Sequence, residues 1–209
     1  MKPRSTVALI LAGGQSRRMG RDKALLPLPH SGKQTLLQHI CHIAQACVSR
    51  TYVLTPWPER YRELLPPAVE LLQEVPAKAG PMVALGQGWS RVVEDTPIPD
   101  WLLVLACDLP ALEADVLQMW QQELTTVQSG AIAALPKHDN RWEPLCGFYH
   151  RRCIPSLKQA ITANTLSFQK WLANETVWQL PLTNSHMLQN CNNPTEWQQF
   201  LNSKNARNL

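Results

Sequence analysis

A doubly wound α/β fold, a mostly parallel sheet with helices on both faces, is predicted by three features of this sequence. Continuous apolar runs occur at residues 7–12 (V-A-L-I-L-A) and 101–106 (W-L-L-V-L-A), each stopping abruptly at a loop. Short runs without polar alternation are what strands buried on both faces require. Between and after them, apolar residues repeat at helical spacing, so strands and helices alternate along the chain. Finally, 209 residues suffice for one substantial core without forcing a split, so a single domain over residues 1–209 is expected.

The elements follow in order. Residues 7–12 suit a central first strand, bounded by Gly13-Gly14. Leu36, Leu37, Ile40, Ile43 and Ala44 share one helical face, and Thr35 stands where an N-cap belongs. Residues 51–55 (T-Y-V-L-T) form a second strand, stopped by Pro56 and Pro58, and residues 69–72 a third ahead of the Gly80-Pro81 turn. Met82, Leu85, Trp89 and Val92 make the next helical stripe. The strand at 101–106 ends at Cys107-Asp108-Leu109-Pro110, and residues 115–127 are again helical. Residues 130–135 and 143–149 read as strands, and 154–161 and 167–172 as helices. Asn193-Pro194 reads as the N-cap and first residue of a last helix.

Composition narrows the function. An apolar fraction of 44% with 17% charged residues is that of a globular chain, and no apolar run is long enough to span a bilayer. The polar lead of residues 1–6 runs into a strand and glycine loop rather than a cleavage site, so a cytoplasmic location is expected. Six cysteines without C-x-x-C spacing are read as reduced, packed thiols. The net charge of +4 is mild and partly concentrated at Arg17, Arg18, Arg21 and Lys23, which points to a small anionic ligand. No zinc-finger spacing, RNP-type motif or basic helix supports a nucleic acid partner. His138, His150 and His186 lack metal-ligand spacing, and the eight tryptophans are read as packing residues.

Chemistry concentrates in two places. The first is L-A-G-G-Q-S-R-R-M-G-R-D-K at residues 11–23, a strand giving way to a glycine-rich, cationic loop. Glycines let backbone approach a ligand closely, and consecutive N–H groups can surround phosphate oxygens. Arg18 and Lys23 add charge where a triphosphate and a departing pyrophosphate need it. The segment fits neither G-x-G-x-x-G nor the Walker pattern. The second is Asp108, at the end of a buried strand. A carboxylate there can hold Mg²⁺ together with substrate phosphates, although an Asp before Leu-Pro also serves as a turn former or cap. Cys107 has no base beside it in sequence and is read as a packed thiol.

The pattern L-A-G-G-x-S-x-R-M-G-x-D-K resembles the amino-terminal signature of the molybdenum cofactor guanylyltransferases, a family of Rossmann-like nucleotidyltransferases with a three-layer αβα sandwich. Further segments match in the same order: G-P-M-V-A at 80–84, C-D-L-P at 107–110, E-P-L-C-G-F-Y at 143–149, and N-N-P-T-E at 192–196. The resemblance implies transfer of GMP from GTP to Mo-molybdopterin, with Mg²⁺ as cofactor. It implies nucleotide contacts from Leu11, Ala12, Gly13, Gly14, Lys23, Gly80, Glu74 and Asp108, with Asp108 the metal ligand and Lys23, Arg18 and Asp108 the catalytic residues. Residues 1–110 would chiefly hold the nucleotide and 111–209 the acceptor. Molybdenum-insertion proteins and apo-molybdoenzymes are the implied partners.

There are departures. Ala84 replaces a glycine of the family's G-P-L-A-G, Thr55 stands where an asparagine often follows the second strand, Asn193 replaces a threonine, and Glu74 is one residue out of register. Three alternatives remain: a cytidylyltransferase for the same cofactor, whose relatives usually read L-A-A-G, a sugar-phosphate nucleotidyltransferase, and a non-catalytic nucleotide-binding chaperone of the cofactor.

Overall fold

A computed structural model describes residues 5–28, 34–77, 79–95 and 97–206, with backbone alone at 204–206. Strand β1 (Thr6–Leu11) enters the centre of a sheet, and helix α1 (Leu36–Cys47) follows the glycine loop. Thr35 caps α1 as its position predicts: its hydroxyl accepts from Gln38 N at 3.3 Å, and Gln38 Oε1 accepts from Thr35 N at 2.8 Å. That reciprocal box satisfies two otherwise orphaned donors and is worth about 1 kcal/mol. Then come β2 (Thr51–Thr55), the single turn α2 (Pro58–Tyr61), β3 (Val69–Gln73), α3 (Pro81–Val92) and β4 (Trp101–Ala106). The second half contains α4 (Ala114–Glu123), β5 (Ala133–Leu135), the hairpin β6 (Lys137–His138) and β7 (Arg141–Trp142), and β8 (Cys146–His150). It ends with α5 (Ile154–Thr162), α6 (Phe168–Leu172), β9 (Val177–Gln179) and α7 (Pro194–Ala206).

The main sheet has seven strands in the order β3-β2-β1-β4-β8-β5-β9. β1 is parallel to both β2 and β4, whereas β8 runs antiparallel between β4 and β5. Because side chains alternate across a strand, β1 and β4 feed two cores. Ala8, Ile10, Leu103 and Leu105 pack with Leu37 and Ile40 of α1, Trp120 of α4 and Trp197 of α7. Val7, Leu9, Leu102 and Val104 pack on the other face with Leu85 and Trp89 of α3, Leu157 of α5 and Trp171 of α6. The result is the expected three-layer αβα sandwich. Gly88 permits the close approach of α3 to β1, since a Cβ there would lie 2.2 Å from Leu9 Cδ2.

Several boundaries differ from the sequence reading. The helix expected to reach 127 ends at Glu123, and the strand expected from 130 begins at Ala133. The strand expected at 143–149 occupies Cys146–His150, because residues 143–145 form the turn leaving the hairpin. The hairpin itself turns through Asp139 and Asn140, both at positive φ (47° and 59°), as a two-residue type I′ loop requires. Its strands are too short to show alternation. Pro58, read only as a stop, opens α2 at a first-turn position where its missing N–H costs nothing.

The chain steps outward from β1 to β2 and β3, then returns to the other side of β1 for β4. Loops leaving the carboxyl ends of β1 and β4 therefore diverge, opening the crevice where doubly wound sheets bind ligands.

Candidate active site

A cleft of about 360 Å³ occupies that crevice. Leu11 and Ala106 are register partners on β1 and β4, so the residues after them, 12–16 and 107–108, form its two lips. Glu74, Gly80, Pro81 and Ala84, at and before the start of α3, supply a third wall, and Leu145 beside β8 a fourth. Of the residues singled out in the sequence, Leu11, Ala12, Gly13, Gly14, Lys23, Glu74, Gly80 and Asp108 all line this cleft. Arg18 does not. It is exposed and lines an adjoining depression of about 460 Å³ with Gly14, Gln15, Ser16, Arg17, Lys23 and Asn192.

The loop is tied down from within. Ser16 sits at φ 50°, and its carbonyl accepts from Met19 N at 2.9 Å and Gly20 N at 3.1 Å. Its hydroxyl accepts from Lys23 N at 3.0 Å. Asp22 fixes the far end: Oδ1 accepts from Ala24 N at 3.1 Å, while Oδ2 accepts from Arg60 Nη1 at 2.9 Å and Tyr61 Oη at 2.8 Å. Sequence reasoning gave Asp22 no role, because its partners lie on α2, remote in sequence. With the loop so held, the backbone N–H groups of residues 13–18 have no acceptor among the described residues. Backbone donors want partners, and a row of six beside a cationic side chain is a ready receptor for phosphate oxygens.

Lys23 crosses the cleft floor. Its Nζ donates to Asp108 Oδ2 at 2.7 Å and to Asn192 Oδ1 at 2.9 Å, leaving the third ammonium hydrogen without a partner among the described residues. The Lys23 and Asp108 side chains are 11% and 18% exposed. A pair so withdrawn from water adds little net stability, because desolvation offsets its attraction. Its place at a cleft floor makes it a functional candidate. The ends of β4 and α7 are joined here too, by Cys191 N donating to Asp108 O at 3.2 Å. Asn193 caps α7 as its sequence position predicts, accepting from Glu196 N at 3.0 Å, and Glu196 Oε2 takes Asn192 N at 2.7 Å. That cap holds Asn192 where Lys23 reaches it.

Glu74 is 5% exposed and stands against Gly13: a Cβ on Gly13 would lie 2.2 Å from Glu74 Oε2. Gly13 is thus needed for its missing side chain, and Gly80, at φ 93°, for its backbone freedom. Thr55 does not replace the absent asparagine. Its hydroxyl is fully buried, donating to Ala12 O at 3.1 Å and accepting from Trp57 N at 3.2 Å, so it braces the loop instead of facing the cleft.

Cys107 lines the cleft, but burial pushes its thiol up to about 12. Cys41 and Cys191 are raised to about 12 and Cys47 to about 11, each by burial. These are protonated thiols, not nucleophiles, as the sequence suggested. Since unfolded thiols titrate near 9, the folded chain retains protons that the unfolded chain releases above that value. Stability contributed by these groups is therefore full below pH ~9 and lost as pH rises toward ~12. Thermal melts should show Tm falling across that window; a Tm unchanged across it would contradict the burial of these thiols.

Among the described residues no group of three or more His, Cys, Asp or Glu could cage a metal. A single carboxylate beside a phosphate-sized cleft fits an ion such as Mg²⁺, which keeps waters and takes most other oxygens from a nucleotide. No helix among the described residues is long and apolar enough to cross a membrane.

Comparison with known proteins agrees with this geometry. The sequence profile of the MobA-like NTP transferase domain matches residues 8–177. A probable molybdenum cofactor guanylyltransferase of Nostoc sp. is 47% identical over 189 residues, covering 90% of this chain and 87% of that protein. The crystal structure of molybdopterin-guanine dinucleotide biosynthesis protein A from Archaeoglobus fulgidus superposes with a TM-score of 0.75 at 20% identity, covering 96% of this chain and 99% of that one. A Mycobacterium tuberculosis protein solved in complex with manganese superposes with a TM-score of 0.64 at 13% identity, over 95% and 99% of the two chains. The chain therefore belongs to the MobA-like NTP transferase family, among the molybdenum cofactor guanylyltransferases, and is a nucleotidyltransferase.

Proposed function

We infer that this chain transfers GMP from GTP to the phosphate of Mo-molybdopterin, forming molybdopterin guanine dinucleotide and releasing pyrophosphate. One observation carries the reading: the backbone donors of residues 13–16, without acceptors among the described residues, line one cleft with Lys23 and Asp108 at the carboxyl ends of β1 and β4. An acceptor phosphate oxygen bonds to the α-phosphorus as the bond to the bridging α–β oxygen breaks, and pyrophosphate departs with that electron pair. The nucleophile is already anionic, so no general base is required.

The chain's contribution is placement and charge. Amides of residues 13–16 receive phosphate oxygens, and the remaining ammonium hydrogen of Lys23 donates to another while Asp108 and Asn192 hold the ammonium in place. Arg18, in the adjoining depression, meets charge at the edge of the site. Glu74 accepts from the N–H edge of the base or a ribose hydroxyl. Asp108 would hold Mg²⁺, which when bound neutralises charge on the phosphates. Residues up to about 110 hold the nucleotide and those beyond hold the acceptor. The reaction belongs in the cytoplasm, with molybdenum-insertion proteins and apo-molybdoenzymes as the proteins it serves.

Gly13, where cytidylyl relatives usually carry alanine, favours guanine, whereas Ala84, which lines the cleft, is the departure that bears on the base pocket. Pyrophosphate release should therefore be measured with Mg²⁺, Mo-molybdopterin and each of GTP, CTP, ATP and UTP. The expected result is a preference for GTP of about a hundredfold in kcat/KM. A preference for CTP would reassign the base and keep the mechanism. Turnover with a sugar phosphate in place of the cofactor would reassign the acceptor, and binding without turnover would leave a cofactor chaperone.

A further inference from the structure

A second cavity, of about 160 Å³, shares Ala106, Asp108 and Leu145 with the nucleotide cleft and adds Glu143, Pro144, Leu188 and Asn190. It is small against the roughly 300–1,000 Å³ of pockets that enclose whole ligands, so it takes the edge of one ring. The backbone around Glu143 is pinned. Its N–H donates to Pro136 O at 3.0 Å, its carbonyl accepts from Cys146 N at 3.3 Å, and the next residue's carbonyl accepts from Tyr149 Oη at 2.8 Å. The carboxylate is different: it has no hydrogen bond or ion pair among the described residues. It is half-buried, and burial raises its carboxyl above the usual range, opposed by His138 and Arg141 and reinforced by Asp139.

A half-buried carboxylate held on a rigid turn without donors is an acceptor awaiting a ligand. Two carboxylate oxygens match two N–H donors side by side. The acceptor of the GMP-transfer reading has such a pair, the ring N–H and exocyclic amine of a pterin's 2-amino-4-oxopyrimidine edge. Guanine has the same pair, but the nucleotide cleft already has its own carboxylate in Glu74, against Gly13. We propose that Glu143 selects the acceptor, its carboxylate receiving the paired N–H donors of the pterin in the cavity beside Asp108. With the ring seated there, the phosphate-bearing tail runs toward Asp108, a wall common to both cavities. This assignment rests on the GMP-transfer reading for the identity of its ligand.

The test is Glu143→Gln, which keeps shape but turns one acceptor into a donor facing a donor. The KM for Mo-molybdopterin should rise about tenfold or more while the KM for GTP stays within about twofold. An unchanged acceptor KM overturns the proposal, and so does a rise in GTP KM instead, which would give this carboxylate to guanine. Fluorescence titration with free pterin and with lumazine, which has a carbonyl in place of the amine, decides the point without turnover. The native chain should prefer pterin by about tenfold, and Glu143→Gln should lose that preference. If the chain prefers pterin in this way but releases no pyrophosphate with GTP, the GMP-transfer reading fails and Glu143 stands. Equal binding of both rings by the native chain overturns Glu143 alone.

Discussion

Asp108→Asn should lower pyrophosphate release with GTP and Mo-molybdopterin by roughly a thousandfold while leaving the fold intact. The substitution keeps size and one acceptor but removes the charge that would hold Mg²⁺ against the phosphates. Stability should fall by about 1–3 kcal/mol without loss of the fold, because the largely buried Lys23 ammonium loses its counter-ion but keeps its bond to Asn192 and an amide oxygen at position 108. The check is kcat beside a thermal melt. A folded Asp108→Asn chain with native turnover would remove Asp108 from the mechanism, and a collapse in Tm would make its role structural. Lys23→Ala should lose turnover similarly. It also leaves Asp108 without its counter-ion, so its stability cost should exceed that of Asp108→Asn.

Gly13→Ala should divide stability from activity. The new Cβ would lie 2.2 Å from Glu74 Oε2, 3.2 Å from Glu74 Cδ and 3.4 Å from Pro56 Cδ. Its worst contact is the far end of a side chain, so rotation of Glu74 relieves most of the clash, leaving a stability cost of about 1–3 kcal/mol. Activity has no such escape. Moving Glu74 shifts a cleft-facing carboxylate, and the methyl group occupies the face where backbone should meet the nucleotide. The KM for GTP should rise about tenfold or more, with the acceptor KM nearly unchanged. A GTP KM equal to that of the native chain would show that the nucleotide lies elsewhere.

The fold was legible wherever local chemistry decided it. Strands β1 and β4, continuously apolar and buried on both faces, were visible as such, and so were the caps at Thr35 and Asn193, which act within three residues. The cleft was legible for the related reason that a strand-to-loop switch at Gly13 and another at Asp108 fall at the carboxyl ends of neighbouring strands. Glu74 was selected despite its register, and it lines the cleft because the segment after β3 returns to Gly13. What escaped was non-local. Lys23 meets Asn192 across 169 positions, and Asp22 meets Tyr61 across 39, contacts that no window of sequence encodes. The antiparallel course of β8 was hidden because a strand buried on both faces shows the same apolar run in either direction. Arg18 was grouped with Lys23 by proximity in sequence, and the two do share the adjoining depression, but only Lys23 reaches on into the main cleft.

The most direct test follows the α-phosphate. The chain should be incubated with Mg²⁺, Mo-molybdopterin and GTP labelled at the α-phosphorus, and the label traced by chromatography alongside pyrophosphate release. Label joined to the cofactor, with one pyrophosphate released per label transferred and loss of both in Asp108→Asn, is the predicted result. Label remaining in GTP, or appearing as free GMP with the cofactor unmodified, would contradict the account.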